Sequence, residues 1–155
     1  MRKKWIWAGI GAAVLLVAAL FWYLCLPNVP VLLYHSIREE ADAENASLFV
    51  RPEDLERQLV LIQEMGYTSI FAAELPRAGA YRKPLVLTFD DGYEDNYTAA
   101  FPLLQRYNMK APIFVVSGLV DTPGYLTSEE LREMAGSGLV RIQSHTDSHA
   151  DLTGC

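Results

Sequence analysis

The sequence predicts an α/β fold with a parallel sheet, preceded by one transmembrane helix. Two observations lead to this prediction. Beyond residue 30, short apolar runs alternate with stretches of helical periodicity, and this order implies parallel strands joined by crossover helices. Before this alternating region, residues 5–26 contain no charged side chain, which predicts the transmembrane helix. The length of 155 residues suits one domain with a hydrophobic core and is too short for two.

The N-terminal apolar run is long enough to cross a bilayer, since a helix of this length spans roughly 33 Å. Arg2, Lys3 and Lys4 precede the run, and the positive-inside rule keeps such residues in the cytoplasm. The sequence therefore predicts a single-pass protein of the cell membrane with its folded domain outside. The alternative is a cleaved signal peptide, although the large residues 20–23 do not resemble a small-x-small cleavage site.

Three segments follow from this interpretation: a cytoplasmic tip and anchor (residues 1–26), a linker (27–30) and one folded domain (31–155). The net charge of −6 argues against nucleic acid as a partner, because phosphate binding favours a basic surface. A neutral or cationic polymer is electrostatically acceptable. Cys25 lies in the predicted anchor and Cys155 at the last position, so we expect neither a structural disulfide nor a functional thiol.

The elements of the domain can be predicted from apolar runs and helix signals. Pro52 suits a first helical position, and Gly66 suits the end of that helix. A second helix is expected over residues 97–107, which Pro102 must start or kink. Thr127 and Glu130 form a capping box that begins a third helix. The predicted strands are residues 31–34, 68–72, 85–89, 113–116 and 139–144, and the aliphatic run at 31–34 is expected to be buried.

Two adjacent carboxylates follow the predicted strand at residues 85–89. Asp90 and Asp91 leave this strand in different directions, and Gly92 permits a sharp turn after them. In parallel sheets, functional sites lie at the C-terminal ends of strands. The alternative is a solvated turn, since Asp-Asp-Gly is common at strand ends.

Two histidines follow the last predicted strand. His145 and His149 are four residues apart, which would put them on one face of a helical turn and within reach of one ion. The alternative is two surface histidines by chance, but the whole sequence has only three.

Taken together, the two clusters predict a catalytic metal site. Asp91, His145 and His149 form a set of two histidines and one carboxylate, and three protein ligands with an open position are typical of catalytic centres. A divalent ion there polarises a carbonyl and acidifies a water. Asp90 is then the general base that takes the proton of that water.

The segments TFDDGY and HTDSH resemble the motifs of the polysaccharide deacetylases, the NodB-homology or carbohydrate esterase 4 family. The resemblance extends from about residue 29 to the end of the chain. It implies a distorted (β/α) barrel, of which residues 31–155 are the N-terminal part. It also implies Asp90 as the catalytic base, Asp91, His145 and His149 as metal ligands, and a divalent metal, usually zinc in the family. The implied activity is removal of acetyl groups from an extracellular or cell-wall polysaccharide, such as an N-acetylglucosamine polymer, chitin, peptidoglycan or acetylated xylan.

The resemblance also implies later motifs, which supply an acetyl pocket and a protonating histidine. Residues 150–155 match none of them, so we expect a truncated domain without its general acid. Two further interpretations stay open. The chain is an inactive, membrane-tethered remnant that at most binds metal or glycan, or a second chain supplies the missing strands.

Three more residues have an open interpretation. His35 ends the first predicted strand and either contacts substrate or packs with a hydrogen bond to the backbone; packing is favoured. Tyr93 and Tyr97 have aromatic faces that suit sugar rings, and a core role is at least as plausible for Tyr97.

Overall fold

The computed structural model describes residues 14–18, 28–39 and 46–154. Residues 14–18 are helical and exposed. The rest of the predicted membrane anchor lies outside the described residues. Within the part of the chain that is described, no helix has the length and apolar character needed to span a membrane.

The domain is built on a sheet of five parallel strands, which confirms the predicted α/β class. The pairing order is β1-β5-β6-β7, and β4 also pairs with β5. Two very short strands, β2 and β3, pair with each other in parallel. The strands are β1 (Val31–Tyr34), β2 (Ser36–Ile37), β3 (Phe49–Val50), β4 (Thr68–Ser69), β5 (Pro84–Phe89), β6 (Ala111–Val115) and β7 (Val140–Ser144).

The helices of the domain are α1 (Pro52–Glu64), α2 (Phe101–Arg106) and α3 (Ser128–Gly136). The starts of α1 and α3 agree with the sequence signals. Gly66 follows α1 with a φ of 75°, as expected of a helix-ending glycine. Short 3-10 segments lie at Ala46–Leu48, Ala72–Ala80, Ser117–Leu119 and Leu152–Gly154.

The predicted capping box at the start of α3 is confirmed. The Thr127 hydroxyl accepts a hydrogen bond from the Glu130 backbone N–H at 3.3 Å, and the Glu130 carboxylate accepts one from the Thr127 N–H at 2.8 Å. Such a pair satisfies donors that the first helical turn leaves free.

The hydrophobic core lies between the helices and one face of the sheet. Alternate residues of β5 and β6 point into it, because successive side chains of a strand point to opposite faces. The fully buried members on the strand side are Leu87, Phe89, Ala111 and Ile113, and those on the helix side are Leu55, Leu59, Leu104 and Met134.

Three element predictions need correction. The strand β1 is not buried, since Val31 and Leu33 are more than half exposed and only Tyr34 is in the core. The strand expected at residues 68–72 ends at Ser69. The helix expected over residues 97–107 begins as a π-helical turn, Asn96–Ala100, and becomes α-helical just before Pro102. Proline lacks an N–H, so its presence fits a helix that restarts at this point.

A buried polar cluster fixes the end of β1. Asn96 is fully buried, and its Nδ2 donates to the His35 carbonyl at 2.7 Å. The neighbouring Asp95 carboxylate accepts from the Ile37 N–H at 3.0 Å and from the Ser36 hydroxyl. The π-helical turn thus satisfies the backbone where the chain leaves β1.

We expect Asn96→Ala to lower the free energy of unfolding by about 1–3 kcal/mol, because it leaves the partly buried His35 carbonyl without its donor. Thr98→Ala, at an exposed position of the same turn, serves as the control and should change it by less than about 0.5 kcal/mol. Chemical denaturation followed by circular dichroism measures both. Equal effects at the two positions would contradict the role given to Asn96.

Candidate metal centre

Three adjacent strands of the sheet end at the same edge. Asp90 and Asp91 directly follow β5, and His145 directly follows β7. The strand β6 lies between them and ends at Val115. Neighbouring strands are about 4.8 Å apart, so the two loops start roughly 10 Å from each other. Their side chains can meet only by leaning over the end of β6.

The structure brings Asp91, His145 and His149 together. The Nε2 atom of His145 lies 3.4 Å from Asp91 Oδ1, and the Nε2 atom of His149 lies 3.3 Å from the same oxygen. One potential ligand atom from each residue falls within 4.8 Å of the other two. The two imidazole rings have their centroids 5.0 Å apart. The predicted ligand set therefore converges on one point.

This geometry fits a small divalent cation. Nitrogen and oxygen donors bind zinc at about 2.0–2.2 Å, so donors on a tetrahedral ion lie roughly 3.3 Å apart. The two measured separations from Asp91 Oδ1 match that value. This oxygen is also buried and accepts no hydrogen bond from the described residues. A buried anionic oxygen without a hydrogen bond is costly, and a cation among the three donors would offset that cost.

The site is buried on one side and open on the other. The exposed fraction of the side chain rises from 12% for Asp91 to 32% for His145 and 63% for His149. The carboxylate is therefore the floor of the site, and the His149 side faces solvent. Such a site leaves room for a fourth ligand to enter, as catalytic centres require.

Asp90 lies beside the ligand cluster but is not one of its converging donors, and its backbone is held by β1. Its backbone N–H donates to the Tyr34 carbonyl at 2.9 Å, which continues the pairing of β5 with β1. Partial burial raises the pKa of the Asp90 carboxyl, and the nearby imidazoles of His145 and His35 oppose that rise. A carboxylate with a raised pKa is a stronger proton acceptor than an exposed one.

The backbone at the site differs from the sequence prediction. His145 and His149 do not lie on a helical turn; they belong to a bent loop in which Thr146 and His149 have φ values of 66° and 55°. Asp91 also has a positive φ, of 70°. Left-handed conformations cost non-glycine residues roughly 1–2 kcal/mol each. They persist only where the surrounding contacts hold them.

Gly92 is required for its backbone and for its small size. Its φ is 77°, and a Cβ built there would lie 3.1 Å from Cγ1 of Val115. The turn after Asp91 thus rests directly on the end of β6, where a side chain would not fit without movement of Val115.

The sequence did not decide the roles of Tyr93, Tyr97 and His35, and the structure gives these three residues different surroundings. Tyr97 packs against Phe101 at 5.9 Å and donates to Glu133 at 2.8 Å, which is a structural role. Tyr93 is half-buried next to Asp91 and stacks on Tyr125 with ring centroids 5.3 Å apart. Its contact with sugar stays a prediction. His35 is half-buried near Asp90, and its role also stays a prediction.

Sequence reasoning missed the segment that connects the two halves of the site. Residues 115–118, hereafter the bridging segment, hydrogen-bond to the loops on both sides. The available signal was modest: a glycine, Gly118, follows the end of β6 at the same edge of the sheet as the Asp and His clusters.

Comparison with known proteins identifies related sequences. The family model described as "Polysaccharide deacetylase" matches residues 78–155. The Bacillus subtilis protein YxkH, which is named for the same family, is 36% identical over 132 residues. A protein of Escherichia coli K12 named poly-beta-1,6-N-acetyl-D-glucosamine N-deacetylase is 35% identical over 146 residues.

The chain covers only part of each relative. The YxkH match takes in 82% of this chain and 45% of YxkH, and the Escherichia coli match takes in 78% and 22%. Among solved structures, a polysaccharide deacetylase from Bacillus cereus superimposes with a TM-score of 0.77 at 35% identity. That match covers 82% of this chain and 42% of the other. The fold described above is thus shared with less than half of that protein.

A comparison of Gly92→Ala with Gly66→Ala separates two losses of stability at Gly92: the loss from steric contact and the loss from backbone strain. The two glycines have nearly the same φ, 77° and 75°, but Gly66 has open space around its Cβ position. Both variants should lose about 1–2 kcal/mol from left-handed strain. Gly92→Ala should lose roughly 1–3 kcal/mol more through its contact with Val115. Chemical denaturation of both variants gives the two losses in unfolding free energy. Equal losses would show that the close approach of Gly92 to Val115 does not affect stability.

Proposed function

The chain belongs to the polysaccharide deacetylase family, as its motifs predicted, and we propose that it takes part in metal-dependent removal of acetyl groups from an N-acetylglucosamine polymer. The observation that carries the proposal is the convergence of two imidazole nitrogens on one buried carboxylate oxygen, at 3.3 and 3.4 Å. The name of the Escherichia coli relative supports the substrate class. The net charge of −6 is compatible with a neutral or cationic glycan.

In the proposed site, Asp91, His145 and His149 hold a divalent ion, for which zinc fits the donor set best. Such an ion polarises the acetamide carbonyl and lowers the pKa of a water molecule. The side of the site at His149 is exposed, so the polymer approaches from there.

Asp90 is the proposed general base. Its carboxylate accepts the proton of the attacking water, and its partial burial keeps it basic enough for this step. The bond between its N–H and the Tyr34 carbonyl fixes the backbone from which the carboxylate extends. The overall reaction adds one water across the amide bond and yields acetate and a free amine.

We also propose that the N-terminal segment anchors the domain at the outer face of the cell membrane. Support comes from the sequence alone: an uncharged run over residues 5–26 that follows Arg2, Lys3 and Lys4. A polymer of the cell surface would then be within reach of the site.

Metal titration tests the ligand set. The purified chain should bind one zinc ion, and His149→Ala should weaken binding by more than the roughly 10–100-fold typical of residues that only hydrogen-bond to a metal ligand. His35→Ala is the matched control, because His35 is the one remaining histidine and is not among the converging donors. Calorimetric titration gives the affinities. Zinc affinity that is unaffected by loss of His149 would rule out the proposed ligands.

Acetate release tests the catalytic part. If the chain is active, the zinc-loaded protein should release acetate from chito-oligosaccharides, and a chelator should abolish the release. Asp90→Asn should reduce the rate by about 10²–10⁴-fold, as expected for loss of a general base, and should leave zinc affinity almost unchanged. A chain that binds zinc but releases no acetate would instead fit the inactive remnant that binds metal or glycan.

A further inference from the structure

We propose that the bridging segment (residues 115–118) is the positioning element of the metal site, and that Gly118 is its critical residue. The inference rests on the proposed metal binding but concerns residues that are not among the three converging donors. The proposed ligands come from the loops after β5 and β7, and β6 lies between these two strands. Something must therefore hold the two loops together across the end of β6.

The bridging segment contacts the carboxylate side through Asp91 and Gly92. The Val116 N–H donates to the Asp91 carbonyl at 3.4 Å. Val115 fills the space that a side chain at position 92 would occupy. Asp91 needs such support, because its φ of 70° is unfavourable for a residue with a Cβ.

The same segment contacts the histidine side through hydrogen bonds made by Val115, Ser117 and Gly118. The Val115 carbonyl accepts from the His145 N–H at 2.8 Å. The N–H groups of Ser117 and Gly118 donate to the carbonyls of Thr146 and Asp147 at 3.0 and 2.9 Å. The Ser117 hydroxyl adds a bond to the Asp147 carboxylate at 2.9 Å.

These bonds fall on the residues between the two histidine ligands. Thr146 has a left-handed backbone, and so does His149 at the end of the loop. The loop is largely exposed, so little apolar burial holds it in this conformation. The bonds from residues 115–118 therefore supply much of the restraint that directs His145 and His149 towards Asp91.

At Gly118 the bridging segment leaves no room for a side chain next to the histidine loop. A Cβ placed there would lie 2.5 Å from the Asp147 carbonyl oxygen, a distance that no real contact allows. Any side chain at position 118 must therefore push the histidine loop away from the end of β6. The φ of Gly118 is not left-handed, so the requirement is for space alone.

The test compares Gly118→Ala with Gly79→Ala in the full chain. Gly79 is an exposed glycine of a 3-10 segment with nothing within 4 Å of its Cβ position, so it controls for the change in composition. Zinc affinity is measured by calorimetry, and the visible spectrum of the cobalt-substituted protein reports the coordination geometry. Gly118→Ala should weaken zinc binding by about tenfold or more and alter the cobalt spectrum, whereas Gly79→Ala should change neither.

Ser117→Ala provides a second variant should Gly118→Ala fail to fold. It removes the hydroxyl bond to Asp147 without adding atoms, and we expect a smaller loss of zinc affinity, of roughly two- to fivefold for a bond of about 0.5–1 kcal/mol. Circular dichroism of the metal-free proteins should show the same fold in all variants.

The outcomes separate this inference from the proposed function. If the wild-type chain binds zinc and both Gly118→Ala and Ser117→Ala bind it equally well with an unchanged cobalt spectrum, the positioning role is wrong while the metal site stands. If the wild-type chain binds no zinc, the proposed function fails first, and the role in positioning a metal falls with it.

Discussion

The site depends on one buried oxygen, Oδ1 of Asp91. Two histidine nitrogens approach it, and no described residue gives it a hydrogen bond. An isolated carboxylate oxygen in such a place would destabilise the fold, because the lost hydration is not replaced. The arrangement makes physical sense if the domain gains part of its stability when a cation binds. Sheet, loops and bridging segment can all be understood as the support for this atom.

The parallel sheet explains why the site lies where it does. In a parallel sheet, every strand delivers the residue after it to the same edge. The β5–β6–β7 order then places an acidic loop and an imidazole loop on either side of a third strand. The end of that middle strand acts as a spacer, because its backbone groups form hydrogen bonds with the loops on both sides. The donors come from segments more than 50 residues apart, yet they are held by a few local bonds.

Much of this could be predicted from the sequence. The apolar runs gave strands with small errors at their ends, and the capping box at Thr127 was confirmed, because both signals are local. The convergence of Asp91, His145 and His149 followed from their positions after strands. The backbone of the histidine loop was predicted wrongly. A spacing of four residues suggests a helix, whereas the loop conformation depends on hydrogen bonds to residues 115–118, which are distant in sequence. The exposure of β1 was missed for a similar reason: apolar composition does not reveal which strand lies at the end of a sheet.

The attachment of both ligand loops to the end of β6 has a consequence for which ions the site accepts. Loops that are tied to a common spacer cannot separate freely, so the spacing of the three donors in the proposed site would vary little. Calcium prefers six to eight oxygen ligands at about 2.3–2.6 Å, and neither the mixed nitrogen and oxygen donors nor the narrow gap would suit it. Small first-row transition ions tolerate both. The end of β6 would therefore make the site selective for ions of small radius. Selectivity would then depend on the distance between the donors as well as on their chemistry.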